Sequence, residues 1–152
     1  MFKFLRGTAF AALAVVGLSA PAFAVEAPAI GLGQAWPNAP DVSSSPRWHV
    51  YVFVRDGVRF VQFNDINGNV RGAFAAASGQ FLVLPMGRDA QRIATPQQAA
   101  TSTTGVVPQS YPETIYRDDT VELTAVPLSD GTMMFNAISP CDDPEQCSGH
   151  FQ

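Results

Sequence analysis

Three glycine-bearing dipeptides at near-equal spacing constrain this chain more than any other feature. Asp56-Gly57, Asn67-Gly68 and Ser78-Gly79 each stand between runs of alternating apolar and polar residues. A two-residue hairpin loop needs positive φ at its central positions, which Gly adopts freely and Asn or Asp tolerates. The pattern therefore predicts a four-stranded antiparallel meander over Trp48–Met86.

The turns also predict which residues face each other, since opposed residues share a face and neighbours along a strand alternate. The expected opposed pairs are Phe53 with Phe60, His49 with Asn64, Asp65 with Val70, Phe63 with Gly72, and Phe74 with Val83. One face is then apolar and is expected to form the core. It carries Trp48, Val50, Val52, Val54, Val61, Phe63, Val70, Phe74, Ala76, Phe81 and Val83, interrupted by Arg59 and Asp65.

The opposite face of the meander is mixed in character. Its three rows are Phe53, Phe60, Ala75 and Leu82; then Tyr51, Gln62, Ala73 and Leu84; then His49, Asn64, Arg71 and Met86. A solvated face would be more polar and a buried face would not hold three polar side chains together. We therefore expect a loop, a helix or a partner to cover part of it.

A second hairpin is predicted over Thr120–Ser139, with Asp130-Gly131 as its turn. A two-residue turn there places Val121, Leu123, Ala125, Met134 and Ile138 on one face and Val126, Met133, Phe135 and Ala137 on the other. This hairpin either extends the meander or folds over its core face, which some second layer must cover.

The segment 87–119 shows no strand pattern, and two short helical elements are predicted within it. One runs from Thr95 to Ala100, with Thr as N-cap and Pro at the first helical position. The other is a helical turn around Arg88–Ile93. The expected fold class is all-β with room for one short helix: a four-stranded antiparallel meander plus a C-terminal hairpin, forming a small sandwich or half-barrel.

The N-terminus has the three parts of a bacterial secretory signal peptide. Lys3 and Arg6 form a basic region, an apolar run follows over Thr8–Ala20, and Ala22-Phe23-Ala24 is a small-x-small cleavage site. We expect residues 1–24 to be the signal peptide and the mature protein to be periplasmic or extracellular. The remaining divisions are a Pro-rich flexible leader over 25–47, one β domain over 48–139, and a C-terminal tail over 140–152.

The composition argues against several classes of partner. After residue 24 the chain keeps seven basic residues, all Arg, against thirteen acidic ones, so its net charge is −6 with His neutral. An acidic chain without Lys is a poor candidate for binding a phosphate backbone, so no nucleic acid partner is expected. The apolar run of the signal peptide is too short for a stable membrane span, and no span is predicted in the mature chain.

The two cysteines, Cys141 and Cys147, are expected to form a disulfide in an oxidising compartment. The closed loop is small, so the bond would stabilise the fold by about 2 kcal/mol. No metal or cofactor site is predicted. The opening Asp65-x-Asn67-x-Asn69 resembles a calcium loop, but Val70 stands where that loop needs Gly and Ala76 where it needs Glu.

The best-defined polar cluster of the predicted sheet is formed by His49, Asn64 and Arg71, with Tyr51 and Gln62 beside it. Arg71 could donate to a carboxylate or another small anion there. The alternative is a solvated patch at the open end of the sheet. The sequence contains no G-x-S-x-G elbow, and His49 lies beside Asn64 and Arg71 rather than beside an acid and a serine, so no catalytic residue is assigned.

These observations favour a non-catalytic binding or interaction module of the cell envelope, with an envelope protein or a small ligand as its partner. Two alternatives stay open. One is an inhibitor of a secreted hydrolase that acts through the Cys141–Cys147 loop or the 87–119 loop. The other is a small enzyme with a site around His49, Arg71 and Tyr51.

Overall fold

Two four-stranded sheets make up the fold. The computed structural model describes residues 28–101 and 105–140, and the predicted signal peptide and the Cys141–Cys147 pair lie outside these ranges. The strands are β1 (Trp48–Arg55), β2 (Val58–Asp65), β3 (Val70–Ala77), β4 (Gln80–Val83), β5 (Ile93–Ala94), β6 (Glu113–Arg117), β7 (Glu122–Pro127) and β8 (Met133–Ile138). The sheet orders are β1-β2-β3-β4 and β5-β8-β7-β6, so the all-β prediction is confirmed.

The first and third turns of the meander are as predicted. Arg55 pairs with Val58 across Asp56-Gly57, and Ala77 pairs with Gln80 across Ser78-Gly79. Asp56 and Ser78 have φ values of 52° and 50°, and the glycines that follow them also have positive φ. These values are typical of type I′ turns, whose twist matches that of the flanking strands.

The second turn is longer than predicted. Asp65 and Asn69 close a three-residue loop, in which the Asp65 N–H donates to the Asn69 carbonyl at 3.0 Å and the Gly68 N–H donates to the Asp65 carbonyl at 2.9 Å. Asn64 therefore pairs with Val70, and the predicted pair of Asp65 with Val70 is wrong. A β-bulge next to Asn64 then restores the predicted register, so that Phe63 pairs with Gly72.

A turn of the same type shifts the C-terminal hairpin by one residue. The Leu128 N–H donates to the Thr132 carbonyl at 2.9 Å, and Gly131 has a φ of 78° at the third loop position. No bulge compensates here. Ala125 pairs with Phe135, so Phe135 rather than Met134 lies on the same face as Ala125. The predicted faces of β8 are therefore exchanged, because a one-residue slip moves every side chain to the other side.

The second sheet covers the core face of the meander. Phe135 of β8 lies between two residues of the first sheet, with ring centroids 4.4 Å from Phe63 and 5.3 Å from Trp48. Around these rings the two sheets share one buried cluster. It includes Val50, Val61, Phe74 and Phe81 from the meander and Ile93, Ile115, Val121, Leu123, Ala125 and Ala137 from the second sheet. Two residues of the predicted core face are absent from this cluster. Val54, beside the first turn, is 68% exposed, and Val70 is half-buried and pairs with Asn64 of the opposite face.

The segment between the two hairpins contains more strand and less helix than predicted. The helical turn is present as a single 3₁₀ turn at Ala90–Arg92. The predicted helix at Thr95–Ala100 is wrong, because Thr95 and Gln98 pair in an isolated bridge around a tight turn. The Gln97 side chain explains this turn: its Oε1 accepts from the Phe81 N–H at 3.1 Å and its Nε2 donates to the Gly79 carbonyl at 3.3 Å, so it covers the edge of β4.

Truncating Phe63 tests the two-sheet core. We expect Phe63→Ala to lower the free energy of unfolding by about 3–5 kcal/mol, because its ring is fully buried against Phe135. Leu82→Ala, in the same sheet but 63% exposed, is the matched control and should change it by less than about 0.5 kcal/mol. Urea denaturation measures both, and equal effects of the two substitutions would contradict the sandwich.

Candidate functional site

The five residues of the predicted polar cluster do not form one site. His49, Tyr51, Gln62 and Asn64 lie together on the outer face of the meander, meaning the face turned away from the second sheet. Arg71 contacts Trp48 and Phe135 at the end of the core instead. The bulge beside Asn64 explains the separation, because it adds one residue at Val70–Arg71 and turns Arg71 to the other face. The sequence contains no sign of this extra residue.

The outer face is covered by the segment 28–42, for which the sequence predicted a flexible leader. The Gly33 N–H donates to Gln62 Oε1 at 2.6 Å, and Gln62 Nε2 donates to the Gln34 carbonyl at 2.7 Å. Asn64 Nδ2 donates to the Ala35 carbonyl, also at 2.7 Å. Both amide side chains are fully buried, so their hydrogen-bonding groups depend on this segment.

His49 joins the end of the same segment to the sheet. Its Nδ1 lies 2.7 Å from Asp41 Oδ2, and Asp41 Oδ1 accepts the N–H of Val50 at 3.0 Å. The edge of the Trp36 ring packs against the imidazole, with centroids 5.1 Å apart. Burial opposes ionisation of Asp41, but these hydrogen bonds outweigh it and hold its pKa below the usual value. His49 therefore anchors a covering segment in this structure.

Arg71 is the centre of a separate polar cluster between the ends of the two sheets. Its guanidinium carbon lies 5.6 Å from the centroid of the Trp48 ring, and its Nε donates to Asp89 Oδ2. Arg92 Nη1 donates to the other oxygen of Asp89 at 3.3 Å. The Asp89 side chain is only 4% exposed, so the two guanidinium groups compensate a buried negative charge.

Asp65 completes the cluster from the second turn of the meander. Its Oδ1 accepts the N–H groups of Asn67 and Asn69, each at 3.0 Å, and its Oδ2 lies 3.9 Å from Arg71 Nη1. Burial alone would raise the pKa of Asp65, but the hydrogen bonds from Asn69 and Asn67 and the charge of Arg71 lower it. The asparagines that resembled a calcium loop thus fix the Asp65 carboxylate.

A cleft of about 320 Å³ opens above this cluster, between the two sheets. Its apolar walls are Trp48, Ile66, Tyr111, Pro127 and Met133, and its polar groups are Arg47, Asp65, Arg71, Ser110 and Glu113. Tyr111 is 94% exposed and Ile66 is 60% exposed at the rim. Such a combination of apolar walls and a few fixed polar groups is typical of ligand sites.

A surface ion pair borders the cleft on one side. Arg47 Nη2 donates to Glu113 Oε2 at 2.6 Å, and the Ser45 hydroxyl donates to Glu113 Oε1 at 2.6 Å. Burial acts against the ionised form of Glu113, but these bonds and the charge of Arg47 lower its pKa. The cleft therefore holds two ionised carboxylates and two guanidinium groups, and its formal charge is zero.

Sequence reasoning missed most of this cleft. Tyr111 and Glu113 of the cleft, and Asp89 of the Arg71 cluster below it, come from the 87–119 segment, which gave no strand pattern, although Glu113 begins β6. Pairing of Arg71 with Asp89 depends on how the chain returns after β4, and no local pattern encodes that. A tyrosine in the short stretch between Pro108 and Pro112 was the one available sequence signal.

Comparison with known protein families, curated proteins and solved structures finds no match to this chain. Within residues 28–101 and 105–140, no group of His, Cys, Asp and Glu side chains is placed to hold a metal ion. Over the same residues, no helix is long and apolar enough to cross a membrane.

Removing the Arg71 side chain should be costly to stability. We expect Arg71→Ala to lower the free energy of unfolding by about 3–5 kcal/mol, because it leaves the buried Asp89 carboxylate with only the Arg92 contact. Arg55→Ala is the control, since Arg55 is exposed and pairs with no acid among the described residues; its effect should stay within about 0.5 kcal/mol. Denaturant titration at neutral pH measures both. Near-equal values would show that the Asp89 pair carries no stability.

The lowered carboxylate pKa values predict acid sensitivity. Asp41, Asp65, Glu113 and Asp118 all have folded pKa values below their usual 3.8 or 4.5, so the unfolded chain binds protons more readily than the folded one. Their stabilisation is therefore complete above the unfolded values and is lost as the pH falls through the folded ones. We expect the free energy of unfolding to be level near neutral pH and to fall below about pH 4.5.

Urea denaturation between pH 3 and pH 7 checks this dependence. Asp118→Asn should flatten part of the decline, because Asp118 accepts hydrogen bonds from Thr120, Val121 and Tyr116. A stability that rises as the pH falls from 5 to 3 would refute the assignment.

Proposed function

We propose that this chain is a secreted, non-catalytic binding module of the cell envelope, and that the cleft above Arg71 takes a neutral, hydroxyl-bearing ligand such as a glycan. The observation that carries this proposal is the pairing of a fixed donor with a fixed acceptor. Within the described residues, Arg71 uses Nε for Asp89 and leaves both Nη nitrogens without an acceptor. Asp65 Oδ2 lies 3.9 Å from Nη1.

A hydroxyl group fits this spacing because it accepts one hydrogen bond and donates another. A single hydroxyl between Arg71 and Asp65 would satisfy both side chains at ordinary hydrogen-bond lengths. A free carboxylate would meet Arg71 well but would be repelled by Asp65. The zero formal charge of the lining also favours an uncharged ligand over an ionic one.

The apolar walls supply the second half of the argument. A sugar ring has a face of C–H groups that packs against an aromatic side chain, and Tyr111 presents an exposed ring at the rim. The volume of about 320 Å³ lies at the lower end of the range for small-molecule sites. One or two sugar units would fill it, with the rest of a longer glycan outside.

The electrostatics support binding rather than catalysis. A general acid needs a carboxyl whose pKa is raised, but the pKa values of Asp65 and Glu113 are both lowered. Ser110 lines the cleft, while the one histidine in the described ranges, His49, bonds to Asp41 on the outer face of the meander. An enzyme site built from His49, Arg71 and Tyr51 has no support in this arrangement, because Arg71 is turned towards the core.

A second candidate is inhibition of a secreted hydrolase through the 105–112 segment. The observation that favours it is the exposure of two apolar side chains there, Val107 at 58% and Tyr111 at 94%. A protein partner would cover both side chains, whereas a ligand in the cleft would contact Tyr111 alone.

Calorimetric titration of the mature protein with neutral tri- and tetrasaccharides tests the proposal, with trialanine amide as a peptide probe. We expect at least one saccharide to bind and Tyr111→Ala to weaken it at least about tenfold, since the ring would supply a packing surface. The fold should be unchanged, because Tyr111 is exposed.

Val107→Ala, in the same segment, is the matched control and should leave saccharide affinity unchanged. If no saccharide binds at millimolar concentration while the variants remain folded, the glycan proposal fails. If the unaltered chain instead inhibits a secreted hydrolase, and Tyr111→Ala and Val107→Ala each abolish that inhibition, the second candidate is favoured.

A further inference from the structure

A cavity of about 460 Å³ lies beside the 3₁₀ turn Ala90–Arg92. Its lining consists of Pro85, Gly87, Arg88, Ala90, Gln91 and Arg92. Both charged groups of this lining are guanidinium groups, and none of the described residues that line the cavity is acidic. Guanidinium groups present N–H donors in a planar fork that matches the oxygens of carboxylates and phosphates, so the lining favours an anion.

Arg88 contributes an exposed guanidinium group that has no acceptor among the described residues. Arg55 is the only other arginine of the described chain that pairs with no acid there. The backbone of Arg88 is nevertheless fixed, because its N–H donates to the Val70 carbonyl at 3.3 Å. Gly87, just before it, packs so closely on β3 that a Cβ atom would come within 2.6 Å of the Arg71 backbone. An ordered backbone therefore holds a free cation beside the cavity.

Arg92 contributes a guanidinium group that is only partly satisfied. Its Nη1 donates to Asp89 Oδ1 at 3.3 Å, whereas its Nε is buried and has no acceptor among the described residues. Its Nη2 makes no hydrogen bond within the same part of the chain. Nε and Nη2 form the edge of the guanidinium group that can donate two parallel hydrogen bonds to one anion. A buried donor without an acceptor costs free energy, so an anion that supplied one would be bound favourably.

Two acids interact with Arg92 from outside the cavity. The Asp89 side chain is 4% exposed, and its second oxygen accepts from Arg71 Nε. Hydrogen bonds from Thr132 lower the pKa of Asp130, and the charge of Arg92 adds to this effect. Neither acid lines the cavity, although the chain after residue 24 has a net charge of −6. A small anion fits this local cationic site, whereas the acidic surface would repel an extended polyanion.

We infer that the cavity between Arg88 and Arg92 is a binding site for a small oxyanion, namely inorganic phosphate or the phosphoryl group of a phosphate monoester. Arg92 donates to it with its free edge, and Arg88 donates from the rim. Two guanidinium groups match the two negative charges and several oxygens of phosphate, whereas a carboxylate bound to one of them would leave the other unpaired. The site is separate from the cleft above Arg71 and does not rest on the proposed function.

Titration of the full mature chain with inorganic phosphate in a chloride buffer at neutral pH tests the inference. We expect calorimetry to give a Kd on the order of 1 mM or lower. In NMR spectra the Arg92 Nε–H signal should shift during the titration, because this buried donor gains an acceptor. Absence of both heat and shift at about 20 mM phosphate would overturn the inference.

Matched variants separate a specific site from general electrostatic attraction. Arg88→Gln should weaken phosphate binding at least about tenfold, because it removes a charge-assisted hydrogen bond while the exposed position leaves the fold unchanged. Arg92→Lys keeps the charge beside Asp89 but loses the two-donor edge, and should weaken binding by a similar factor. Arg55→Gln makes the same charge change as Arg88→Gln away from the cavity and should leave the affinity unchanged. Equal weakening by Arg55→Gln and Arg88→Gln would overturn the inference.

Two further probes identify the source of the phosphoryl group. Glucose 6-phosphate represents a phosphorylated sugar, and phosphatidylcholine vesicles that contain phosphatidic acid represent a lipid headgroup. The probe that binds more tightly than inorganic phosphate, with the same loss in Arg88→Gln, names the source; if neither does, the ligand is the free anion. Binding of any of these probes that Arg88→Gln and Arg92→Lys both leave intact would place it elsewhere and overturn the inference.

Discussion

The contact of Phe135 with Phe63 and Trp48 is the interaction on which the rest of this structure depends. These three rings, all nearly or fully buried, join a strand of the second sheet to two strands of the meander. Large aromatic side chains contribute most of the apolar area that such a small core can bury. The Arg71 guanidinium lies against the Trp48 and Phe135 rings, so the polar cluster begins where this aromatic contact ends.

Charged residues on the core face lie at its margins, and the two arginines there bind acids from the second half of the chain. Arg59, near the first turn, donates to Asp118 and Thr120, whereas Arg71, at the other end, donates to Asp89. Both acids are largely buried and hydrogen-bonded, so the ion pairs satisfy polar groups where the apolar core ends. The two interruptions that the alternating pattern showed, Arg59 and Asp65, are therefore the positions where the sandwich ends.

Local sequence patterns predicted the meander well, because turn chemistry and alternation are both encoded within a few residues. Arg55 and Val58, or Ala77 and Gln80, face each other as expected from the dipeptides between them. What the patterns could not distinguish was a two-residue loop from a three-residue loop with Gly last, since both place Gly after Asn or Asp. After the Asp65–Asn69 loop a bulge restores the predicted register from Phe63 onwards. No bulge follows the Leu128–Thr132 loop, so the faces of β8 were predicted the wrong way round. The sites were harder to predict, because the pairing of Arg71 with Asp89 and of Gln62 with Gly33 depends on loops that return over the sheet.

The second turn of the meander links the Arg71 cleft to the covered outer face. Asp65, at its start, presents a carboxylate to the Arg71 cleft, while Gly68, near its end, provides the surface on which Trp36 packs. Asn64 connects them, since its Nδ2 donates both to the Ala35 carbonyl of the leader and to the Gly68 carbonyl of the turn, at 2.7 Å and 3.3 Å. The turn conformation that holds Asp65 is thus stabilised from the opposite face by the segment 28–42. One three-residue turn, more than any single charged side chain, therefore positions Asp65 at the polar cleft on one side of the sheet and supports the packing of Trp36 on the other.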